Sequence, residues 1–232
     1  YKIYIQSGEA LNTKHQRAYD ALDLESTGSK QNLNDVDEAR AWMCQNFFDI
    51  RTFGAVMTTG VNCGQVRGPV QMTFARSLDP IVPMDVTITR VAVTKAEDSQ
   101  VVVNEEGETS GKQSEMGRKS IVPYGLYRAH GFFNPYFAEK TRFSSEDLEL
   151  FWKALQLMWD LDRSAARGMM ACRGLYVFSH ESPLGNAPAH QLFDTVKAKL
   201  DPEVTIPRAF SDYKIVVKKE KLPEQVVLNK LL

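Results

Sequence analysis

The stretch of residues 48–79 combines glycines, arginines and amides in a way that suits an anionic ligand. Three of its glycines recur at every fourth position: Gly60, Gly64 and Gly68. Such glycines let a backbone turn sharply or approach a ligand closely. Three arginines supply planar cations that fit phosphate: Arg51, Arg67 and Arg76. Because no acid lies between Asp49 and Asp79, the stretch favours a polyanion over a metal ion or a basic peptide.

The glycine-rich loop has two interpretations. It lacks the Gly-Lys-Ser/Thr ending of a nucleotide-hydrolysing P-loop, and it does not lead from a strand into a helix, so nucleotide hydrolysis is not expected. It could be no more than a tight hairpin turn. Alternatively its backbone amides lie against RNA, with Asn62, Gln65 and Arg67 as side-chain donors.

Two further arginines occur in the sequence DRSAARG. If this segment is helical, Arg163 and Arg167 lie one turn apart on one face and could each bind a successive phosphate. A solvated helix face, or an ion pair between Arg163 and Asp160, explains the same residues equally well.

The histidines and cysteines give little support to catalysis. His130, His180 and His190 are spaced unlike any common metal site, and we expect no metal and no cofactor. A ribonuclease could use His130 with Lys119 or Tyr124 as acid and base, but ordinary structural histidines are favoured. The cysteines suit neither a disulfide framework nor a zinc site, and we expect buried thiols: Cys44, Cys63 and Cys172.

The elements that must position these residues alternate between strands and helices. Residues 1–50 read as a short strand followed by helices, with Asn34 as a possible helix cap. Period-two patterns predict strands over 53–59, 69–75 and 86–93. Ser144 begins the clearest helix, with Asp147 completing a capping box. Its apolar stripe predicts a core face: Leu148, Phe151, Trp152, Leu155, Met158 and Trp159. Later strands are expected at 175–180 and 213–217, and the fold class is therefore α+β.

Length and charge set wider bounds. The 232 residues can bury a sizeable core as one domain or as one domain with an insertion. No apolar run approaches the roughly 20 residues of a membrane helix, and we expect a cytoplasmic protein without membrane contact. The net charge is −1, yet residues 51–95 carry five bases against two acids. Such segregation permits a basic groove on a nearly neutral protein.

Residues 95–119 differ from the rest of the chain. The segment is polar and nearly free of large apolar residues apart from Val101–Val103 and Met116. It cannot bury enough area for a core of its own, so we predict an extended hairpin or arm. A surface loop without function is the alternative.

Four runs of sequence carry a resemblance to a known family. They are DIRTFGAVMTTGVNCGQVRGPVQMTFARS (49–77), GRKSIVPYGLYRAHGFF (117–133), DRSAARGMM (162–170) and LGNAPAHQLFD (184–194). Together they closely resemble the backbone subunit of CRISPR Cascade, of the type I-C (Dvulg) variety within the RAMP superfamily. The resemblance covers most of the chain, in the family's order.

The resemblance implies a palm like an RNA-recognition motif, or ferredoxin-like, built from residues 51–85 and 120–232. It implies a mainly helical, fingers-like insertion at 1–50 and a β-hairpin thumb at 86–119. The family also has a palm strand and a basic helix that would precede Tyr1, and neither is present in this sequence. The thumb of the family reaches over the neighbouring subunit and separates segments of the guide RNA.

The expected function is a non-catalytic scaffold. Copies would assemble head to tail along the spacer of a CRISPR RNA, beside other Cascade subunits, and present the guide to target DNA. The basic–Gly–aromatic consensus of RNA-recognition motifs is absent, so contacts should run through phosphates and sugars. Candidate RNA-binding residues are Arg51, Asn62, Gln65, Arg67, Arg90, Arg118, Lys119, Arg163 and Arg167, with Met116 as the thumb wedge. Two alternatives remain: a guide-processing endoribonuclease of the same superfamily, and a protein-only assembly factor.

Overall fold

The computed structural model describes residues 1–27, 30–95, 102–103, 109–110 and 115–232. Within them the chain forms six helices, and the predicted α+β class is confirmed. The helices are α1 (Leu11–Leu22), α2 (Leu33–Asn46), α3 (Phe48–Phe53), α4 (Pro135–Thr141), α5 (Ser145–Leu161) and α6 (Ala189–Phe193). The predicted division into insertion, palm and thumb stays a prediction.

The strands pair two by two in antiparallel ladders, an arrangement consistent with a fold like the RNA-recognition motif. The first seven strands are β1 (Gly54–Met57), β2 (Gly64–Arg67), β3 (Val70–Met72), β4 (Arg76–Ser77), β5 (Met84–Arg90), β6 (Val102–Val103) and β7 (Thr109–Ser110). The next seven are β8 (Glu115–Ile121), β9 (Tyr127–Arg128), β10 (Gly131–Phe133), β11 (Tyr176–His180), β12 (Val196–Leu200), β13 (Tyr213–Val217) and β14 (Val226–Lys230). The pairs are β1–β2, β3–β10, β4–β9, β5–β8, β6–β7, β11–β14 and β12–β13.

Residues 1–50 are mainly helical, as expected, but two details of the prediction were wrong. The cap of α2 is Asn32, whose side chain accepts a hydrogen bond from the backbone N–H of Asn34. The first residues form no strand and make a single bridge, between Lys2 and Phe47. They are held instead by the buried ammonium of Lys14, which donates to the carbonyl oxygens of Ile3 and Tyr4 at 2.9 and 2.8 Å.

The first core cluster lies between α1, α2 and the β1–β2 hairpin. Its buried members come from these elements and from the segments next to them: Tyr4, Ala18, Tyr19, Ala39, Met43, Cys44, Phe47, Ile50, Met57 and Cys63. Cys44 and Cys63 are buried thiols as predicted, whereas Cys172 is only partly buried. Burial raises the pKa of the Cys63 thiol to about 12, so this thiol stays protonated and unreactive at neutral pH.

The boundaries of the first hairpin differ from the prediction. Phe53 ends helix α3 and does not begin a strand, and half of the predicted glycine loop is strand β2. Gly54 has a φ of +84°, and a Cβ at Gly68 would lie 2.3 Å from the carbonyl oxygen of Thr52. Gly68 therefore serves close packing of the chain against itself at the base of the hairpin.

The capping box of α5 is confirmed. The Ser144 side chain accepts from the N–H of Asp147, and the Asp147 carboxylate accepts from the N–H of Ser144. The stripe packs into a second core with Val70, Ala138 and Phe143 through four of its predicted members: Leu148, Phe151, Trp152 and Leu155. Met158 is 38% exposed, so the buried stripe stops before the last turn of the helix.

Residues 70–78 and 126–133 run antiparallel in two short ladders. In β3–β10, Met72 lies opposite Gly131; in β4–β9, Arg76 lies opposite Arg128. The two ladders differ in register by one residue. Between them, segment 70–78 therefore has one more residue than segment 126–133.

Candidate nucleic-acid interface

The predicted RNA-binding residues lie on the β1–β2 hairpin, the β5–β8 ribbon, the turn after α5 and helix α3. Among the residues described, no hydrogen bond or ion pair of a candidate side chain joins one of these groups to another.

The outer face of the β1–β2 hairpin presents Gln65 and Arg67. They are two residues apart on β2 and opposite Val56 and Gly54 of β1, so both side chains leave the same face. Gln65, Arg67 and Val56 are exposed, whereas Met57 on the other face is fully buried. Because the face of the hairpin that carries Met57 packs against the core, the amide of Gln65 and the guanidinium of Arg67 on the other face point to solvent.

Asn62 shapes the turn of this hairpin. Its side-chain oxygen accepts from the N–H of Gly64 at 2.9 Å, and its backbone carbonyl accepts from the hydroxyl of Tyr19. The side-chain oxygen is thus engaged in the turn, and the amide nitrogen is the part of Asn62 that could serve as a donor to a ligand.

The β5–β8 ribbon divides its candidates between two faces. The register pairs Val86 with Lys119 and Arg90 with Glu115, so Arg90 and Lys119 share one face. Thr87 pairs with Arg118 and Thr89 with Met116, which puts Arg118 and Met116 on the opposite face. One ligand strand lying on one face of the ribbon cannot contact all four residues.

Both faces of the ribbon are open. Met116 is 75% exposed and Ile88 on the other face is 49% exposed. The Arg90 guanidinium donates to the carbonyl of Ala92 and to the hydroxyl of Thr94, each at 2.9 Å. A two-stranded ribbon with two exposed faces is only marginally stable by itself in water. A ligand or partner that covered either face would bury exposed apolar side chains such as Met116 and Ile88.

The prediction of a helical face for Arg163 and Arg167 was wrong. Helix α5 ends at Leu161, and both arginines lie in the irregular segment that follows. Arg163 pairs with Asp160, and Arg167 pairs with Asp162 at 3.0 Å. These exposed pairs contribute at most about 1 kcal/mol, so a phosphate could replace either carboxylate.

Arg51 is committed to the interior. Its guanidinium donates to both carboxylate oxygens of Asp147, at 2.8 and 2.7 Å, and the two side chains are 12% and 5% exposed. Although burial by itself raises the pKa of Asp147, the hydrogen bonds from Arg51 and Ser144 hold it below its usual value. Arg51 therefore joins α3 to the start of α5.

Two of the three candidate histidines make side-chain contacts within the fold. His130 stacks on Phe193 with ring centroids 4.3 Å apart, and its buried Nε2 has no hydrogen-bond partner among the described residues. Burial, followed by the charge of Arg128, lowers the pKa of His130. The Nδ1 of His180 accepts from the N–H of Asn186 at 2.9 Å.

A pair of arginines that sequence reasoning did not join lies on the β4–β9 ladder. Arg76 and Arg128 are directly opposite in the register, although more than fifty residues separate them in the chain. Both occur in basic stretches of the sequence, but only the strand register shows that they are neighbours. Among the described residues, no ion pair to a carboxylate is formed by either.

None of the helices in the described part of the chain combines the length and apolarity needed to cross a bilayer. No cluster of three or more histidine, cysteine, aspartate or glutamate side chains is arranged there to hold a metal ion.

Comparison with known proteins agrees with the motifs. The sequence profile of the family described as CRISPR-associated protein Cas7 matches residues 1–218. A search of curated proteins finds no significant match. Because the profile spans nearly the whole chain, from the helical N-terminal residues through β13, the chain belongs to the CRISPR-associated protein Cas7 family.

Proposed function

We propose that this chain is a non-catalytic backbone subunit of a type I CRISPR Cascade complex, of the I-C variety. Several copies hold the spacer of a CRISPR RNA by its phosphates and leave the bases free to pair with target DNA. Other Cascade subunits bind the same assembly, which acts in the cytoplasm. The observation that carries the proposal is the family match over residues 1–218.

The distribution of exposed cations supports RNA binding. Arg67 and Arg118 are exposed on two-stranded ladders, and the ion pairs of Arg163 and Arg167 are weak and exposed. Solvated cations such as Arg67 and Arg118 neutralise phosphates at little cost in lost partners, whereas Arg163 also donates to the carbonyls of Gly168 and Met170. We omit Arg51 from the RNA-facing set because Asp147 binds its guanidinium.

The absence of catalysis is part of the proposal. His130 is the histidine that a ribonuclease mechanism would use, yet its ring stacks on Phe193 and its Nε2 is buried. A general base must reach the proton that it removes. A buried imidazole under an aromatic ring is poorly placed for that task.

RNA copurification tests the proposal. We expect the full-length protein, purified without nuclease, to carry uncleaved RNA, and Arg67→Gln plus Arg118→Gln to weaken binding. In a titration against salt, each lost phosphate contact should reduce the log–log slope by about 0.7. Lys197→Gln, which removes an exposed cation on β12, is the matched control.

Two outcomes would reject the scaffold. A protein that purifies as an RNA-free monomer and does not bind added RNA would exclude the scaffold function. Cleavage of a repeat-containing transcript at one position, abolished by His130→Ala, would identify the endoribonuclease instead.

A further inference from the structure

The register shift between β3–β10 and β4–β9 forms a β-bulge. The N–H of Thr73 donates to the carbonyl of His130 at 2.8 Å, and Arg76 lies opposite Arg128. Two residues, Phe74 and Ala75, thus face the single residue Ala129. Bulges of this kind redirect a side chain and are common beside functional sites.

Phe74 is the first of the two residues in this bulge. Its side chain is 95% exposed, the largest value among the exposed hydrophobic residues described. A phenylalanine that buries almost none of its ring contributes little to the fold. A single exposed apolar residue is ordinary, so the neighbours of Phe74 decide its meaning.

Those neighbours are two cations that no carboxylate of the described residues neutralises. Arg76 and Arg128 are cross-strand partners, and like charges in that position destabilise a sheet. The Arg128 guanidinium donates to the carbonyl of Val196 at 3.2 Å, which holds it in place. Arg76 is exposed, and no carboxylate of the described residues pairs with either guanidinium. An anion from outside the chain would relieve this repulsion.

We propose that Phe74, Arg76 and Arg128 form a nucleotide-binding subsite for single-stranded nucleic acid. One phosphate lies between the two guanidiniums, and the adjacent base stacks on the Phe74 ring. The inference rests on the proposed function and adds three residues that the predicted set omitted.

The combination of groups favours a nucleotide over an acidic peptide. Both ligands would neutralise the arginines, but every nucleotide also carries a flat aromatic base a few bonds from its phosphate. Stacking on an exposed aromatic ring beside cations is a common mode of single-strand binding. It tolerates any base, as a guide-holding protein requires.

Anisotropy titrations with labelled oligouridylate and oligothymidylate test the subsite on the full-length protein. Phe74→Ala should weaken binding about 5- to 150-fold, the loss expected for one stacked base. Phe74→Trp should retain affinity, and its fluorescence should be quenched on binding, with the wild type's own tryptophans as background. Leu33→Ala, which shortens a 79% exposed side chain on α2, should leave binding unchanged.

Arg76→Gln separates binding from folding. It should reduce the salt slope by about 0.7 and raise the melting temperature of the free protein, since it removes a like-charge pair. A purely structural role for Arg76 predicts a lower melting temperature and an unchanged slope. Stronger binding of one of the two oligonucleotides would distinguish guide RNA from a DNA strand as the natural source.

Three results would overturn the subsite. If the wild type binds oligouridylate and Phe74→Ala and Arg76→Gln bind equally well, the subsite is wrong and the proposed function stands. If polyglutamate quenches the tryptophan fluorescence of Phe74→Trp and an oligonucleotide does not, the ligand is an acidic peptide. If the wild type binds no nucleic acid, the proposed function fails with it.

Discussion

At the residue scale, one type of side chain performs opposite tasks in this protein. The Arg51 guanidinium is buried against Asp147 and two aromatic rings, those of Tyr1 and Phe48. The Arg67 guanidinium leaves an exposed strand face. The difference arises from the surroundings, since α5 brings a capping carboxylate to Arg51 and no acid lies opposite Arg67. Arginine in a basic motif therefore does not by itself identify an RNA contact.

Replacement of Arg51 should destabilise the fold. Arg51→Gln leaves the Asp147 carboxylate buried without its cation, and the free energy of unfolding in urea should fall by about 3–5 kcal/mol. Lys197→Gln breaks an exposed pair and should cost at most about 1 kcal/mol. A stable, folded Arg51→Gln protein that has lost RNA binding would return Arg51 to the RNA-facing set.

The same ion pair has a defined pH dependence. Asp147 has a lowered pKa in the folded protein, so below its ordinary pKa the unfolded chain binds the proton more readily. The stabilisation is complete above that ordinary pKa and is lost as the pH falls through the lowered one. Asp147→Asn should reduce the acid sensitivity of urea unfolding relative to the wild type.

At the element scale, the surroundings of two glycines distinguish a closely packed ladder from a solvent-exposed one. At the base of β1–β2, a Cβ on Gly54 would lie 2.3 Å from the carbonyl oxygen of Val66. On the β5–β8 ribbon, a Cβ on Gly117 would meet no atom within 4 Å among the described residues. The first hairpin is packed against a core, and the ribbon is solvated.

A pair of alanine substitutions tests this contrast. Gly54→Ala forces a positive φ and a backbone clash, and should destabilise the protein by at least about 1–3 kcal/mol. Gly117→Ala should be neutral or slightly stabilising, because it only reduces the freedom of the unfolded chain. Equal melting temperatures for the two variants would contradict the close packing at Gly54.

At the scale of the whole molecule, the net charge is only −1, although basic residues outnumber acids in stretches such as 51–95. Binding to RNA must therefore come from local cationic faces, whose reach is about one Debye length of 10 Å at 0.1 M salt. Head-to-tail copies on one strand would extend those faces, and a head-to-tail contact that does not close makes an open helical assembly.

Assembly should depend on the length of the RNA. Mixed with RNAs of increasing length, the full-length protein should form complexes whose mass, by native mass spectrometry, rises in whole-protomer steps. Ribonuclease should return them to smaller species. Oligomers that persist without RNA, and whose mass is unchanged by Arg67→Gln plus Arg118→Gln, would identify a protein-only assembly factor.

Local signals in the sequence determined much of this protein. The capping box at Ser144 and the apolar stripe of α5 are spaced within one helix, and the structure has them as predicted. The strand over 213–217 was also predicted with its observed bounds. The quoted motifs indicated the family, which the profile match shows. Each of these features depends on residues close together in the chain.

Features that depend on distant residues were decided by the tertiary structure. Arg51 and Asp147 are 96 positions apart, and their ion pair forms only because α3 packs near the start of α5. The bulge at Phe74 and the Arg76–Arg128 pair follow from a one-residue shift of register. Sequence patterns show which residues alternate along a strand, but the partner strand and its register are set by packing of the whole chain.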